Sequence, residues 1–151
     1  MIVNGYEIEP GADLNAAVLT GADLRNIDLT GADLHNSNLT GVDLTGANLN
    51  GIFSGAIKGN PILPTDYILV NGYIIGPGVS LYSANLGGSD LTGANMVGVD
   101  LTYADLTETN MMGVSSGAII GDPINFSNDY ILINGYIVGP GVDLSDANLL
   151  G

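Results

Sequence analysis

The text "ADLNA AVLTG ADLRN IDLTG ADLHN SNLTG VDLTG ANLNG", residues 12–51, falls into eight consecutive words of five residues. Leu stands at the centre of every word: Leu14, Leu19, Leu24, Leu29, Leu34, Leu39, Leu44 and Leu49. Two places earlier sits a small or β-branched residue (Ala12, Ala17, Ala22, Ile27, Ala32, Ser37, Val42, Ala47), and between the two sits Asp or Asn in seven words of eight. A period of five fits neither the 3.6 of a helix nor the 2 of a strand. A chain that turns one corner per word can still keep all centres on one side. The central Leu and the residue two before it then point inward, and the other three face solvent. Gly closes most words, as at Gly21, Gly31, Gly41, Gly46 and Gly51, which suits a corner whose dihedrals a side chain opposes.

Words of the form A(D/N)LxG resemble the repeats of the pentapeptide-repeat proteins. The resemblance implies an all-β fold, the right-handed quadrilateral β-helix, with four five-residue sides and hence twenty residues per coil. On that reading residues twenty apart stack at about 4.8 Å. Leu14 lies under Leu34, Leu19 under Leu39, Leu24 under Leu44 and Leu29 under Leu49. Each buried Leu contributes about 1.5 to 3 kcal/mol. The same register stacks Asp13 on Asp33 and Asp23 on Asp43 outside, where two charges about 5 Å apart in water repel by about 0.8 kcal/mol. The Leu columns prevail. Pairing Asp28 with Asn48, and Asn85 with Asp105, lowers the repulsion further.

A longer repeat encloses the words. The signature "MIVNGYEIEPG" (residues 1–11) returns as "YILVNGYIIGPG" (67–78) and "YILINGYIVGPG" (130–141). Word runs 12–51, 79–113 and 142–151 alternate with linkers 52–78 and 114–141, all read as a single solenoid domain over 1–151. The second run has seven centres (Leu81, Leu86, Leu91, Met96, Leu101, Leu106, Met111), and the first linker is one residue shorter than the second. Asn71-Gly72 and Asn134-Gly135, flanked by apolar residues, are the sequence signal of a two-residue type I′ hairpin. A lone hairpin is marginal in water, so each must lie against the column or continue its wall. Leu69, Ile74 and Val79 are also five apart, as are Ile52, Ile57 and Ile62, which fits a coil running on in a degraded register. The reading preferred is a coil that continues through both ends of each linker, with a hairpin or loop at its middle and "GPG" as the corner where strict words resume. The linker text resembles spacers of cyanobacterial pentapeptide-repeat chains. The first signature is expected to lack its first strand, and "VDLSDANLLG" supplies two words, half a coil. A solenoid end exposes apolar interior and strand edges, so the expectation is either a piece of a longer array or self-association through the solenoid ends.

Sixteen acids stand against Arg25 and Lys58 alone, a net charge of −14. Nine of the acids (Asp13, Asp23, Asp28, Asp33, Asp43, Asp90, Asp100, Asp105, Asp143) occupy the place just before a word centre, so architecture accounts for most of the acidity. Two cations cannot hold a phosphate backbone, which argues against direct nucleic-acid binding. With no Cys, disulfides, thiolate chemistry and the usual zinc frameworks are absent. No run approaches the roughly 18 apolar residues of a membrane span and no signal peptide is visible, so the default setting is cytoplasmic.

Chemistry-bearing constellations are sparse. His35, the sole His, falls at an outward position stacked on Asn15, the place of a solvated surface residue. Ser115 and Ser116 have no base in reach, and "GGSDLTG" and "GPG" lack the Lys and following helix of a phosphate loop. The expectation is no enzyme, no catalytic residue and no cofactor. Stacked Asp offers about two oxygens per level where calcium takes 6 to 8, so no metal is expected either, and the Thr20/Thr40 column is too short for an ice-binding face. Outward positions turn apolar at Tyr82, Tyr103, Val97 and Met112, a candidate interaction patch, with packing under a linker hairpin as the competing explanation. The reading is a non-enzymatic structural or protein-interaction solenoid whose protein partner the sequence does not name. The rival is an acidic nucleic-acid mimic that inhibits a DNA-binding protein such as a type II topoisomerase, as the resemblance implies for some members. Those carry long continuous acidic faces and dimerise. Here nearly uncharged linkers break the runs twice, and no dimerising C-terminal helix is written.

Overall fold

The computed structural model describes residues 1–149; Leu150 and Gly151, the last two residues of the 142–151 run, lie outside it. The chain forms two compact units, Met1–Ile74 and Ile75–Gly151.

In the first unit each word is one isolated bridge residue followed by a turn. Asp13 bridges Asp33, Val18 bridges Asn38, Asp23 bridges Asp43 and Asp28 bridges Asn48, all parallel and all twenty residues apart. Five residues per side and twenty per level give four sides to the coil. All eight central Leu are buried to within 1%. Ala12, Ala17, Ala22, Ala32, Ser37, Val42 and Ala47 are buried with them, while the larger Ile27 is only half-buried.

The word of residues 32–36 accounts for all five of its backbone N–H groups. Ala32 donates to Leu29 O, closing the previous turn; Asp33 to Ala12 O in the coil before; Leu34 to Phe53 O and Asn36 to Gly55 O in the coil after. The fifth donor, His35 N–H, finds no carbonyl and goes to Asp33 Oδ1 at 2.9 Å. A buried or half-buried N–H must be paired, and a short side-chain acceptor two residues back is what pairs this one. That is why Asp or Asn precedes the centre.

The turns carry positive φ at the second residue after Leu. Gly fills it at Gly21, Gly31, Gly41, Gly46 and Gly51, and Ala16, Asn26 and Asn36 adopt φ of 56 to 58° at the equivalent places. Asn tolerates this region through local hydrogen bonding, whereas Ala16 bears a steric cost.

The coil runs on into the first linker: Asp33 bridges Phe53, Asn38 bridges Lys58 and Asp43 bridges Ile62. The last step spans nineteen residues; Ile62 follows Ser54 by eight residues as Ile124 follows Ser116, so the residue that this linker lacks is missing between Ile62 and Tyr67. Strands β1 (Ile2–Val3) and β2 (Tyr6–Glu7) pair antiparallel across Asn4-Gly5. The first signature therefore does possess a first strand, contrary to expectation, because two residues and the Met1–Ile8 hydrogen bonds suffice to close it. Strands β3 (Ile68–Val70) and β4 (Tyr73–Ile75) form a two-stranded sheet across Asn71-Gly72. Both turn residues have positive φ, 49° and 80°, the type I′ pattern.

The second unit repeats the scheme. Leu81, Leu86, Leu91, Met96, Leu101, Leu106 and Met111 are all buried. Strands β5 (Asn95–Val97) and β7 (Ser115–Gly117) pair in parallel, as do β6 (Asp105–Leu106) and β8 (Asn125–Phe126). Strands β9 (Ile131–Ile133) and β10 (Tyr136–Val138) form a hairpin in the register Ile133 to Tyr136, Leu132 to Ile137 and Ile131 to Val138. The strict words resume at Gly141, whose carbonyl accepts Gly113 N–H, and at Asp143, which bridges Ser115. No helix among the described residues is long and apolar enough to cross a membrane.

Among the described residues, Ser37 Oγ is a fully buried side-chain atom with no hydrogen-bond partner. An unpaired hydroxyl in an apolar interior is costly. Ser37→Ala is accordingly expected to raise stability by about 1 kcal/mol, read as a higher urea midpoint at unchanged slope. A lower midpoint would mean that the hydroxyl has a partner in solution.

Candidate interaction surface

Each linker hairpin is fastened to the coil by the same four-residue text. Ser54 and Ser116 occupy word centres, the place Leu holds elsewhere, and both are buried. Ser54 Oγ accepts Ile74 N–H and Ser116 Oγ accepts Ile137 N–H, each at 2.9 Å. The following Gly leaves room for a ring: a Cβ on Gly55 would lie 3.1 Å from Tyr73 Cε1, and one on Gly117 3.0 Å from Tyr136 Cε1. Ala56 and Ala118 then take positive φ, and Ile57 and Ile119 donate to Gly72 O and Gly135 O at 3.1 Å. In the sequence "SGAI" is only matching text. The signal that could have found its role is a hydroxyl where the period demands an aliphatic centre.

The outward acids are turned back on the chain that bears them. Asp28, Asp43, Asp90, Asp100 and Asp105 each accept the N–H two residues on and the hydroxyl of the Thr there, the latter at 2.5–2.6 Å. Where Asn stacks on Asp it supplies a donor: Asn48 Nδ2 reaches Asp28 Oδ1 at 3.2 Å, and Asn110 Nδ2 reaches Asp90 Oδ1 at 3.2 Å. Arg25 clasps Asp23 with two bonds and lies 3.8 Å from Asp43, spanning the stacked pair.

These donors hold the carboxyls below their ordinary range. The Arg25 side chain lowers Asp23 to about 2. Thr hydroxyls and backbone N–H groups lower Asp28, Asp43, Asp90 and Asp105, and the Ser145 N–H and hydroxyl lower Asp143. At Asp33 partial burial opposes ionisation, and the His35 N–H and ring outweigh it. A group with a depressed folded pKa contributes stability above its unfolded pKa and loses it as pH falls through the folded value. The melting temperature, measured by circular dichroism, is thus expected to drop on acidification from about pH 4 to about pH 2. A melting temperature that climbs across that window would contradict the assignment.

The outward apolar residues divide. Tyr82 and Tyr103 meet at one corner, their ring centroids 5.6 Å apart and their planes at 80°. They are 52% and 55% exposed, so no hairpin buries them. Val97 pairs with Gly117 in the β5–β7 register, and Met112 borders Gly141. Counting words around the coil, these two stand at other corners, 43% and 60% exposed. Four residues thus give one ring pair and two separate apolar points.

His35 is not simply solvated. Its Nδ1 lies 2.7 Å from Asp33 Oδ1, and its ring borders the space above Gly55 that Tyr73 also enters. Among the described residues no three metal-ligating side chains converge, and no cavity opens within either unit.

The family model for pentapeptide repeats matches residues 12–51 and 80–115, in eight copies that take up half of the chain. Among solved structures the chain is similar to HetL, a pentapeptide repeat protein involved in heterocyst differentiation regulation from the cyanobacterium Nostoc sp. strain PCC 7120, at 28% identity and a TM-score of 0.31. That likeness covers 72% of this chain and 38% of HetL, so the chain spans well under half of HetL's length. No curated protein matches the chain.

Proposed function

The chain belongs to the pentapeptide-repeat family, whose fold is the right-handed quadrilateral β-helix, and from that premise we propose that it is a non-enzymatic interaction module that presents outward corner residues to a protein partner. The observation that carries this reading is the contrast between engaged and idle outward groups. Aspartates before the centres bond their own turns, whereas Tyr82 and Tyr103 stand more than half exposed and, among the described residues, have only each other as ring neighbours. Exposed Tyr pairs suit recognition because they offer large, rigid area at low entropic cost. Tyr82, Tyr103, Val97 and Met112 are the residues we assign to contact, with the ring pair as anchor.

The same contrast weighs against nucleic-acid mimicry. A mimic needs carboxylates free to meet a basic surface, and here Oδ1 of Asp28, Asp43, Asp90, Asp100 and Asp105 already accepts two or three bonds from Thr, Asn and the backbone. The test has two arms. A photo-crosslinking residue placed at Tyr103 is expected to give adducts with another polypeptide in cells, and one at Asn15 is not. The chain in large molar excess should leave supercoiling by a type II topoisomerase unaltered. Inhibition there, with no adduct at Tyr103, would replace this reading with the mimic.

A further inference from the structure

We propose that the Tyr82–Tyr103 corner receives an arginine side chain from a basic segment of the partner, a step that rests on reading this corner as the contact surface. Three observations converge. First, Tyr103 has φ of 60°, the one aromatic among the described residues with positive φ. Equivalent closing positions elsewhere use Gly, or small and polar residues such as Ala16, Asn26, Asn36, Ser83 and Glu108. A bulky residue in this region is strained, and burial does not offset the strain, since the ring stays 55% exposed. Strain held at an exposed aromatic points to use of the ring.

Second, the ring arrangement leaves π-faces open. At 80° one ring offers its edge to the face of the other, so the edge-on ring keeps both faces clear of its neighbour. A cation within about 6 Å of such a face is attracted by the ring quadrupole. Arg suits it better than Lys, because a planar guanidinium can stack while keeping its donors.

Third, charge complements a cation. From Ile75 onward the sequence holds eight acids and neither Arg nor Lys. Asp100 and Asp105 flank Tyr103 in sequence, and Asp122 is laddered to it through the bond from Tyr103 N–H to Asp122 O at 3.0 Å. A guanidinium on the rings thus enters a unit of net negative charge and meets no competing cation there.

The probe is a synthetic peptide alternating Arg with Gly and Ser, its citrulline counterpart, which keeps the shape and loses the charge, and its Lys counterpart. Titration calorimetry at low salt should show the Arg peptide binding, the Lys peptide binding more weakly and the citrulline peptide not binding. Tyr103→Gly is expected to weaken the Arg peptide by about 5- to 30-fold while raising the melting temperature, because Gly relieves the positive φ. Tyr82→Leu should weaken binding without that gain. Weaker binding together with a higher melting temperature cannot come from a merely structural role. Equal binding of Arg and citrulline peptides, or Arg binding undiminished in both Tyr variants, overturns the arginine assignment. If that failure comes with adducts at Tyr103 in cells, the contact surface stands and only the partner chemistry is wrong; if adducts are absent too, both fall.

Discussion

Leu34→Ala is expected to destabilise the first unit by about 2 to 5 kcal/mol. Leu34 is buried at the middle of a column with Leu14 in the level before and Ser54 in the level after. Truncation leaves a void that a coil cannot close. Its walls are set by the backbone ladder, Leu34 N–H to Phe53 O at 2.8 Å and Leu14 N–H to Asp33 O at 2.8 Å, so neighbouring levels cannot collapse inward without breaking bonds. In a structure stabilised level by level through nearest-neighbour contacts, a middle level also weakens both of its neighbours. Thr20→Ala, at an exposed outward position, is the comparison and should change stability by less than about 0.5 kcal/mol in urea unfolding. Similar losses for the two would mean that the central Leu are not the core.

Gly59→Ala is expected to cost about 3 kcal/mol or more, against about 1 to 2 for Gly31→Ala. Both residues have positive φ, 84° and 69°, so both substitutions bear the left-handed penalty. They differ in what surrounds them. A Cβ at Gly31 meets nothing within 4 Å, whereas one at Gly59 would lie 2.6 Å from Thr40 Cα and 2.7 Å from Thr40 N. Backbone atoms in a ladder cannot step aside. Equilibrium unfolding of the two variants separates the dihedral cost from the clash, and equal losses would show that the coil relaxes at Thr40. Gly121 faces Thr102 in the second unit as Gly59 faces Thr40 in the first, so the close approach belongs to the repeat.

Most of the coil is legible in the sequence because its driving pattern is written in one dimension. Central Leu, the residues two before them and the Gly corners all come from the period of five, and the twenty-residue register found in the bridges is the one the family resemblance implies. The hairpins at Asn71-Gly72 and Asn134-Gly135 are legible as turn chemistry. Their fastening is not. Ser54 and Ser116 act through a bond to a strand twenty or twenty-one residues away, and no local periodicity reports a partner at that distance. The meaning of Asp before each centre is hidden for a different reason. Composition shows acids, and only the count of backbone donors in one word reveals that the carboxylate completes a turn. His35 reads as solvated because its own word says nothing of Gly55, and Gly55 matters there for the side chain it does not have. Tyr82 and Tyr103 stand out by exposure logic, but their meeting at one corner, with Val97 and Met112 elsewhere, depends on how twenty-one residues wrap a four-sided path.

The hairpin in the second linker interrupts the wall without disturbing the words beyond it. Ser115 meets Asp143 twenty-eight residues later, eight more than the spacing elsewhere, yet the ladder restarts in phase because Gly141 returns to Gly113. The coil is therefore indifferent to the length of chain spliced in at this seam, provided both ends come back to the same two anchors. Foreign loops spliced in between Phe126 and Tyr130, in the stretch where the two linkers already differ by one residue and short of the fastened turn, should be carried as cargo, which makes the seam a natural grafting port on an otherwise inflexible register.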